Sequence, residues 1–432
     1  MTLWIVSAAT ALLLLDVTIV NVAIPAISED LDAGLDEAQW VIDAYALALA
    51  STLLALGSLA DRLGRRRVFA AGVALFTAAS AGCALAPSML ALDLLRAVQG
   101  VGGAAIFAPA LALLAEAYPA GAARARALTV WGAITGGALA VGPMVGGALV
   151  DGLSWEWAFW VNLPIGAALL ALSLTQLRES RDPAAPPTDW LGAALFTGAT
   201  FLLVLALIQD LDAAFAGAGL LLAAFLAVEL RSSAPMLDLR LFRRAPFTGT
   251  ALVAFAQSFA LYPLFFFLSV YFYGELGMTA FETGLRLLPV TLVLFAVAPL
   301  SGRLTARMPL RVPMCLGLVL IGTGILLMRR LSADGPWTDL LPGFVIGGLG
   351  IGTISPALAA AMVSVLPVER SGLASGINNT FRQLGIAVGI AVLGGLLSNE
   401  APFLDPVFLC GGLVALLSAP VAWRLLGDLR NS

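Results

Sequence analysis

The sequence predicts an all-α polytopic membrane protein, on three observations. Hydrophobic residues make up 60% and charged residues 12% of the 432 positions, with a mean hydropathy of +0.97, which is too apolar for a soluble globule. Apolar stretches long enough to cross a hydrocarbon layer about 30 Å thick recur from one end of the chain to the other. Between them, charges collect in short connections, as the cost of charge in hydrocarbon requires.

Fourteen spans are expected: Leu3–Ile27, Trp40–Leu59, Val68–Ala86, Leu90–Ala115, Ala127–Val150, Phe159–Leu177, Leu191–Ile208, Ala213–Leu230, Phe247–Tyr273, Thr283–Leu300, Pro313–Met328, Leu341–Val363, Gly372–Leu397 and Pro406–Leu426. An even number puts both termini on one side. That side carries nearly all the arginines, among them Arg62, Arg65, Arg66, Arg67, Arg240, Arg243, Arg244 and Arg382. The opposite connections hold Arg329 and Arg330, with acids such as Glu29, Asp30, Asp36 and Glu37. By the positive-inside rule the arginine-rich side is cytoplasmic, so a multi-pass protein of the cytoplasmic membrane with both termini inside is expected. The first apolar segment runs through Asp16 to Pro25 with no small-residue exit, so it reads as a span and not as a cleavable signal. A short basic leader ahead of it would be compatible.

The first span holds the most informative residue. Asp16 lies about 17 Å along the helix from the outer end, near the centre of the bilayer, where a charged group usually faces a protein interior or a watery cavity and carries function. A structural, neutral Asp bonded to a neighbouring helix is the alternative. Asn21 follows on the same span. In the second span Asp43 stands three residues from the outer edge, either as a second titrating group or as a side chain that merely reaches the interface. After it comes Gly57-Ser58-Leu59-Ala60-Asp61-Arg62-Leu63-Gly64-Arg65-Arg66-Arg67, echoed in degraded form by Ser301–Arg307 after the tenth span. This repeat suggests two six-helix halves, 1–178 and 247–432. The Pro-rich 178–189 and Arg-rich 231–246 stretches bracket an inserted two-helix pair within 179–246. In the ninth span, beyond Gln257, Phe259, Tyr262 and Phe266 share one helical face; such a face can hold a lipophilic molecule or simply meet lipid.

Chemistry is bounded by what the chain lacks. Every basic side chain is an arginine, with no Lys and no His, so proton transfer rests on carboxylates. Cys83, Cys315 and Cys410 sit in apolar segments without metal-ligand or disulfide spacing. No phosphate-cradling loop and no large extramembrane domain is present, which argues against a membrane enzyme or a sensor.

Three motifs then match a known family in order. Gly57–Arg67 resembles the G-x-x-x-D-R-x-G-R-R loop of the major facilitator superfamily, where Gly57, Asp61, Arg62, Gly64, Arg65 and Arg66 would latch the cytoplasmic side. Arg96-Ala97-Val98-Gln99-Gly100-Val101-Gly102 resembles its R-x-x-Q-G-x-G motif, with Arg96 the natural partner of Asp16. Gly142-Pro143-Met144-Val145-Gly146-Gly147 resembles the antiporter motif, a bend and close helix contact that would seal against leak; Ala138 replaces a usual glycine. Asp16–Pro25, Trp155–Gly166, Pro235–Phe242 and Gly347–Arg382 narrow the resemblance to the fourteen-spanner drug:proton antiporters, with Glu156, Tyr273 and Asp43 as departures. This resemblance implies the major facilitator fold, two six-helix halves plus two inserted helices. It also implies multidrug or antibiotic export by alternating access, with Asp16 and Arg96 in proton coupling; Asp43, a departure from the family pattern, joins them on its position in the second span alone. No cofactor is expected, because the proton gradient is the energy source. Partners would be a small lipophilic substrate, protons and the lipid bilayer, with no nucleic acid, and the working unit a monomer. Export of an endogenous lipid or metabolite, and a proton-independent facilitator, stay open.

Overall fold

The structure, a computed structural model, describes residues 1–118, 122–181, 189–209, 211–232, 235, 237–305, 308–331, 335–365, 371–397 and 404–427. It is helical throughout: α1 Thr2–Asp30, α2 Leu35–Leu63, α3 Arg65–Ala84, α4 Met89–Ala117, α5 Ala122–Gly152, α6 Trp157–Trp160, α7 Asn162–Gln176, α8 Trp190–Gln209, α9 Asp212–Arg231, α10 Ala245–Val270, α11 Ala280–Thr305, α12 Arg311–Leu327, α13 Leu341–Val365, α14 Ser371–Gly394 and α15 Asp405–Leu426. Among the described residues, thirteen spans are long and apolar enough to cross a membrane, counting α6 and α7 together as Trp157–Gln176. The remaining expected span is α14, 24 residues long.

In a solvent without water every backbone group must bond within its own segment, which is why the apolar runs become helices. Some buried hydroxyls are satisfied by bonding back one turn: Thr10 Oγ1 donates to the Val6 carbonyl at 2.6 Å and Ser173 Oγ to Leu169 at 2.6 Å. Side chains cap the starts of α2, α4 and α11. Glu37 accepts from the Gly34 amide, Ser88 from the Ala91 amide, and Thr279 and Glu282 accept each other's amides. A π-helical turn, Tyr271–Glu275, extends α10.

The chain divides into two compact units. One comprises Met1–Leu203, Asp212–Leu237 and Ser269–Leu285; the other comprises Val204–Leu211, Asp238–Leu268 and Arg286–Ser432. In the first, α4 packs on α2 and α3, α1 on α5, and α3 on α7. Ile5, Leu12, Tyr45, Phe69, Phe76, Leu113 and Leu169 join in its core. The expected inserted pair belongs to this unit for most of its length, with Phe196 of α8 on Phe225 of α9 and Trp40 of α2 on Phe201 of α8. Leu220, Leu222, Leu226 and Leu230 on α9 are left exposed, a surface suited to lipid. In the second unit α12 packs between α13 and α15. The end of the Ser301–Arg307 echo lies outside the described residues.

Candidate functional site

The site is built on α1, α4 and α7, with α2 and α3 behind them. Asp16 and Arg96, each predicted from an apolar run, meet: Arg96 Nη1 donates to Asp16 Oδ2 at 2.6 Å, with 1% and 0% of the two side chains exposed. The other carboxylate oxygen accepts from Gln99 Nε2 at 3.0 Å and from Asn162 Nδ2 at 2.8 Å. Arg96 also donates to Gln99 Oε1 at 2.7 Å and, through Nε, to the Val41 carbonyl at 2.9 Å. Its guanidinium lies 4.3 Å from the centre of the Tyr45 ring. Asn162 is itself held by Ser80, which passes the chain on to the Phe159 carbonyl. A charged pair sealed from water is tolerable only when so many of its lone pairs and protons are occupied.

Glycines set these distances. A methyl group at Gly100, one turn beyond Arg96, would collide with the Tyr45 carbonyl oxygen, and one at Gly103 would press on the Tyr45 hydroxyl at 3.0 Å. The Gly142–Gly147 stretch is wedged between two helices. Gly142 lies on Thr18, Gly146 against Ile19 of α1, where a methyl would come within 2.9 Å of the Ile19 Cα, and Gly147 on Ala280 and Phe281 of α11, while Gly284 answers against the Pro143 carbonyl. One turn past Gly147, Asp151 accepts from the Ala280 amide at 2.9 Å and the Phe281 amide at 2.8 Å, capping the start of α11.

In the Gly57–Arg67 loop, Arg65, the first residue of α3, donates to Asp61 at 2.8 Å, while Arg62 is exposed. Gly64 takes φ +118°, a left-handed conformation natural to glycine. Glu179, which the sequence did not single out, clasps the loop: it accepts from the Arg66 amide at 3.1 Å and lies 3.6 Å from Arg67 Nε. The Arg66 side chain reaches the Leu174 carbonyl. Gly57 is the exception among the motif glycines, because a methyl there would meet only Ala108 at an ordinary 3.8 Å.

The other candidates scatter. Asp43 does not reach an interface: α2 starts five residues earlier than expected, and the side chain is fully buried with neither carboxylate oxygen bonded. Asn21 bonds back to Val17. Phe266 is fully buried against Phe267, Phe259 stacks on Phe255, and Gln257 is buried with its carbonyl oxygen unbonded. Half-buried Tyr262 accepts from Arg382 Nη2 at 2.9 Å. Arg382, expected with the cytoplasmic-face arginines, therefore stands near the middle of α14. Asn162, Ser80 and Tyr45 were missed in the network, although an Asn inside an apolar span was a signal to weigh. Among the described residues no cluster of three or more Cys, Asp or Glu suited to a metal occurs.

The profile of the Major Facilitator Superfamily matches residues 6–390 and 297–430. The chain is 36% identical over 396 residues to the multidrug resistance protein Stp of Mycobacterium tuberculosis, covering 90% of this chain and 74% of that one. It is 35% identical over 409 residues to the tetracenomycin C resistance and export protein of Streptomyces glaucescens, covering 92% and 76%. In three dimensions it resembles the crystal structure of a POT family transporter bound to a thioalcohol-conjugated peptide, with a TM-score of 0.74 at 14% identity over 97% of this chain and 94% of that one. That last likeness speaks for the fold alone.

Proposed function

Because the chain belongs to the Major Facilitator Superfamily, we propose that it is a proton-coupled antiporter that exports small lipophilic drugs or antibiotics across the cytoplasmic membrane by alternating access. The observation that carries this reading is the sealed Asp16–Arg96–Gln99–Asn162 network in an otherwise apolar bundle. The names of its relatives, resistance and export proteins, support export over uptake.

The network supplies a discrete switch. With Asp16 ionised, the pair is neutral overall and α1, α4 and α7 are tied together. A proton on Asp16 removes the counter-charge from Arg96, which keeps only Gln99, the Val41 carbonyl and the Tyr45 face. The tied arrangement loses its strongest link, and the helices are released to shift. Proton arrival from outside and departure inside then exchange against substrate. Each charge carried across about 100 mV is worth roughly 2.3 kcal/mol. In this scheme the protein is a transporter and not an enzyme, works as a monomer with both termini in the cytoplasm, and needs no cofactor.

Reversal of an imposed pH gradient in proteoliposomes tests this. Substrate-driven proton movement is expected with the wild type and is lost in Asp16→Asn. Transport of a lipophilic compound that is indifferent to Asp16→Asn would replace the reading with a proton-independent facilitator.

A further inference from the structure

The second unit contains an arginine that the coupling network does not use. On α14, Asn378, Arg382, Gly385 and Gly389 are spaced by four, three and four residues and so share one helix face. That face rides on α10: a methyl at Gly385 would meet the Phe255 carbonyl oxygen at 2.5 Å and Ser258 Cβ at 3.0 Å, and one at Gly389 would meet the Phe259 carbonyl at 2.8 Å. One turn before Gly385, Arg382 leans across to donate to the Tyr262 hydroxyl, with a long second contact of 3.4 Å to Asn379 Oδ1.

This arrangement leaves hydrogen-bonding capacity unspent. No carboxylate lies within ion-pair distance of Arg382 among the described residues, and its Nε is unbonded. Asn378, only 3% exposed, has neither its amide nitrogen nor its oxygen bonded, and Ser258 Oγ, fully buried where α10 meets α14, is likewise without a partner. Buried polar groups are normally satisfied, and an intramembrane arginine is normally paired. Here the pairing atoms are missing among the described residues. Tyr262 has accepted from Arg382, so its own hydroxyl proton remains to be given. Both Arg382 and Tyr262 are partly exposed, so an incoming molecule can reach them, and the stacked Phe255 and Phe259 rings supply an apolar wall.

We infer that Arg382 and Tyr262 form a recognition site for the anionic head of a lipophilic substrate, a carboxylate or phenolate that accepts from the guanidinium and the hydroxyl. The planar fork of the guanidinium matches two carboxylate oxygens, and a cation of the same shape meets like charge. This inference rests on the exporter reading in that it names the class of molecule exported. Its test nevertheless needs no transport.

The test uses the full chain in nonionic detergent and three fluorescent probes of one ring system: anthracene carboxylate, anthracene methanol and anthracene methylammonium. The wild type is expected to bind the carboxylate at least about tenfold more tightly than the methylammonium, the effect of one charge-assisted hydrogen bond. Arg382→Gln should erase that preference, and Tyr262→Phe should weaken the carboxylate about fivefold while sparing the methylammonium. Asp16→Asn should keep the preference. Equal binding of the three probes by the wild type, or a preference unchanged in a folded Arg382→Gln variant, overturns the site. Should Arg382→Gln fail to fold, an unchanged ratio in Tyr262→Phe overturns it instead. Phosphatidylglycerol binding with none of the free carboxylate would also overturn it, in favour of a lipid headgroup. A preference present without proton movement in liposomes sinks antiport and leaves the site standing; the reverse result does the opposite.

Discussion

Arg96 and Arg382 both lie inside helices of this protein that the sequence expects to span the membrane, and their surroundings differ in one respect that bears on what each can do. Arg96 has its counter-charge in the chain: Asp16 at 2.6 Å, with Gln99, Asn162 and the Val41 carbonyl completing the shell. Arg382 has a tyrosine hydroxyl and a distant amide oxygen. A closed shell stores a state and changes only when a proton arrives, whereas an open one is completed only by something from outside. On the function and the site proposed above, the same residue type in the same kind of helix would serve as a switch in one unit and as a receptor in the other.

The largest effect should come from breaking the closed shell. Asp16→Asn leaves Arg96 buried without its charge partner, a change that costs about 3–5 kcal/mol in comparable sites, read as a fall in thermal stability in detergent. Adding Arg96→Gln, which removes the orphaned charge, should recover much of the loss without restoring proton coupling. If the single variant is as stable as the wild type, the pair is not the closed unit described here. Arg382→Gln sharpens the contrast, since it gives up one charge-assisted hydrogen bond to a neutral hydroxyl and no ion pair. It is expected to cost about 1.5–3 kcal/mol; a loss as large as that of Asp16→Asn would mean that Arg382 has a structural partner after all.

Much of this contrast was legible in the sequence. Asp16 and Arg96 stand out because a charge in a long apolar run has few affordable explanations, and the even count of spans and the all-helical fold followed from hydropathy. What the sequence did not yield were the partners. Asn162 is 146 positions from Asp16, and a small polar residue in a membrane helix is common enough to pass unremarked. Nothing in the sequence marks Glu179; its role emerges only once Arg66 and Gly64 lie beside it. Arg382 was expected with the arginines of the cytoplasmic face, although it falls inside the expected span Gly372–Leu397; its bond to Tyr262 shows that α14 turns it toward α10.

Both arginines are also positioned by a glycine one turn further on, Gly100 in α4 and Gly385 in α14, each seated on a backbone carbonyl of the facing helix. Gly100→Ala and Gly385→Ala should each cost about 1–3 kcal/mol through forced separation of the helices, the first reducing proton coupling and the second weakening the anion preference. Were both variants neutral, the helix spacing would be set elsewhere.

Gly57→Ala is the smallest of these changes and the most discriminating about motifs. Gly57 opens the loop signature and by resemblance would be expected to need its missing side chain, yet a methyl there meets only Ala108 at 3.8 Å, and the position lies inside α2. Alanine in a helix interior is favoured over glycine by about 0.5–1 kcal/mol. The variant should therefore match or slightly exceed the wild type in thermal stability. A transport defect without loss of stability would then locate the need for Gly57 in a second conformation, one in which α2 comes closer to a neighbour than it does here.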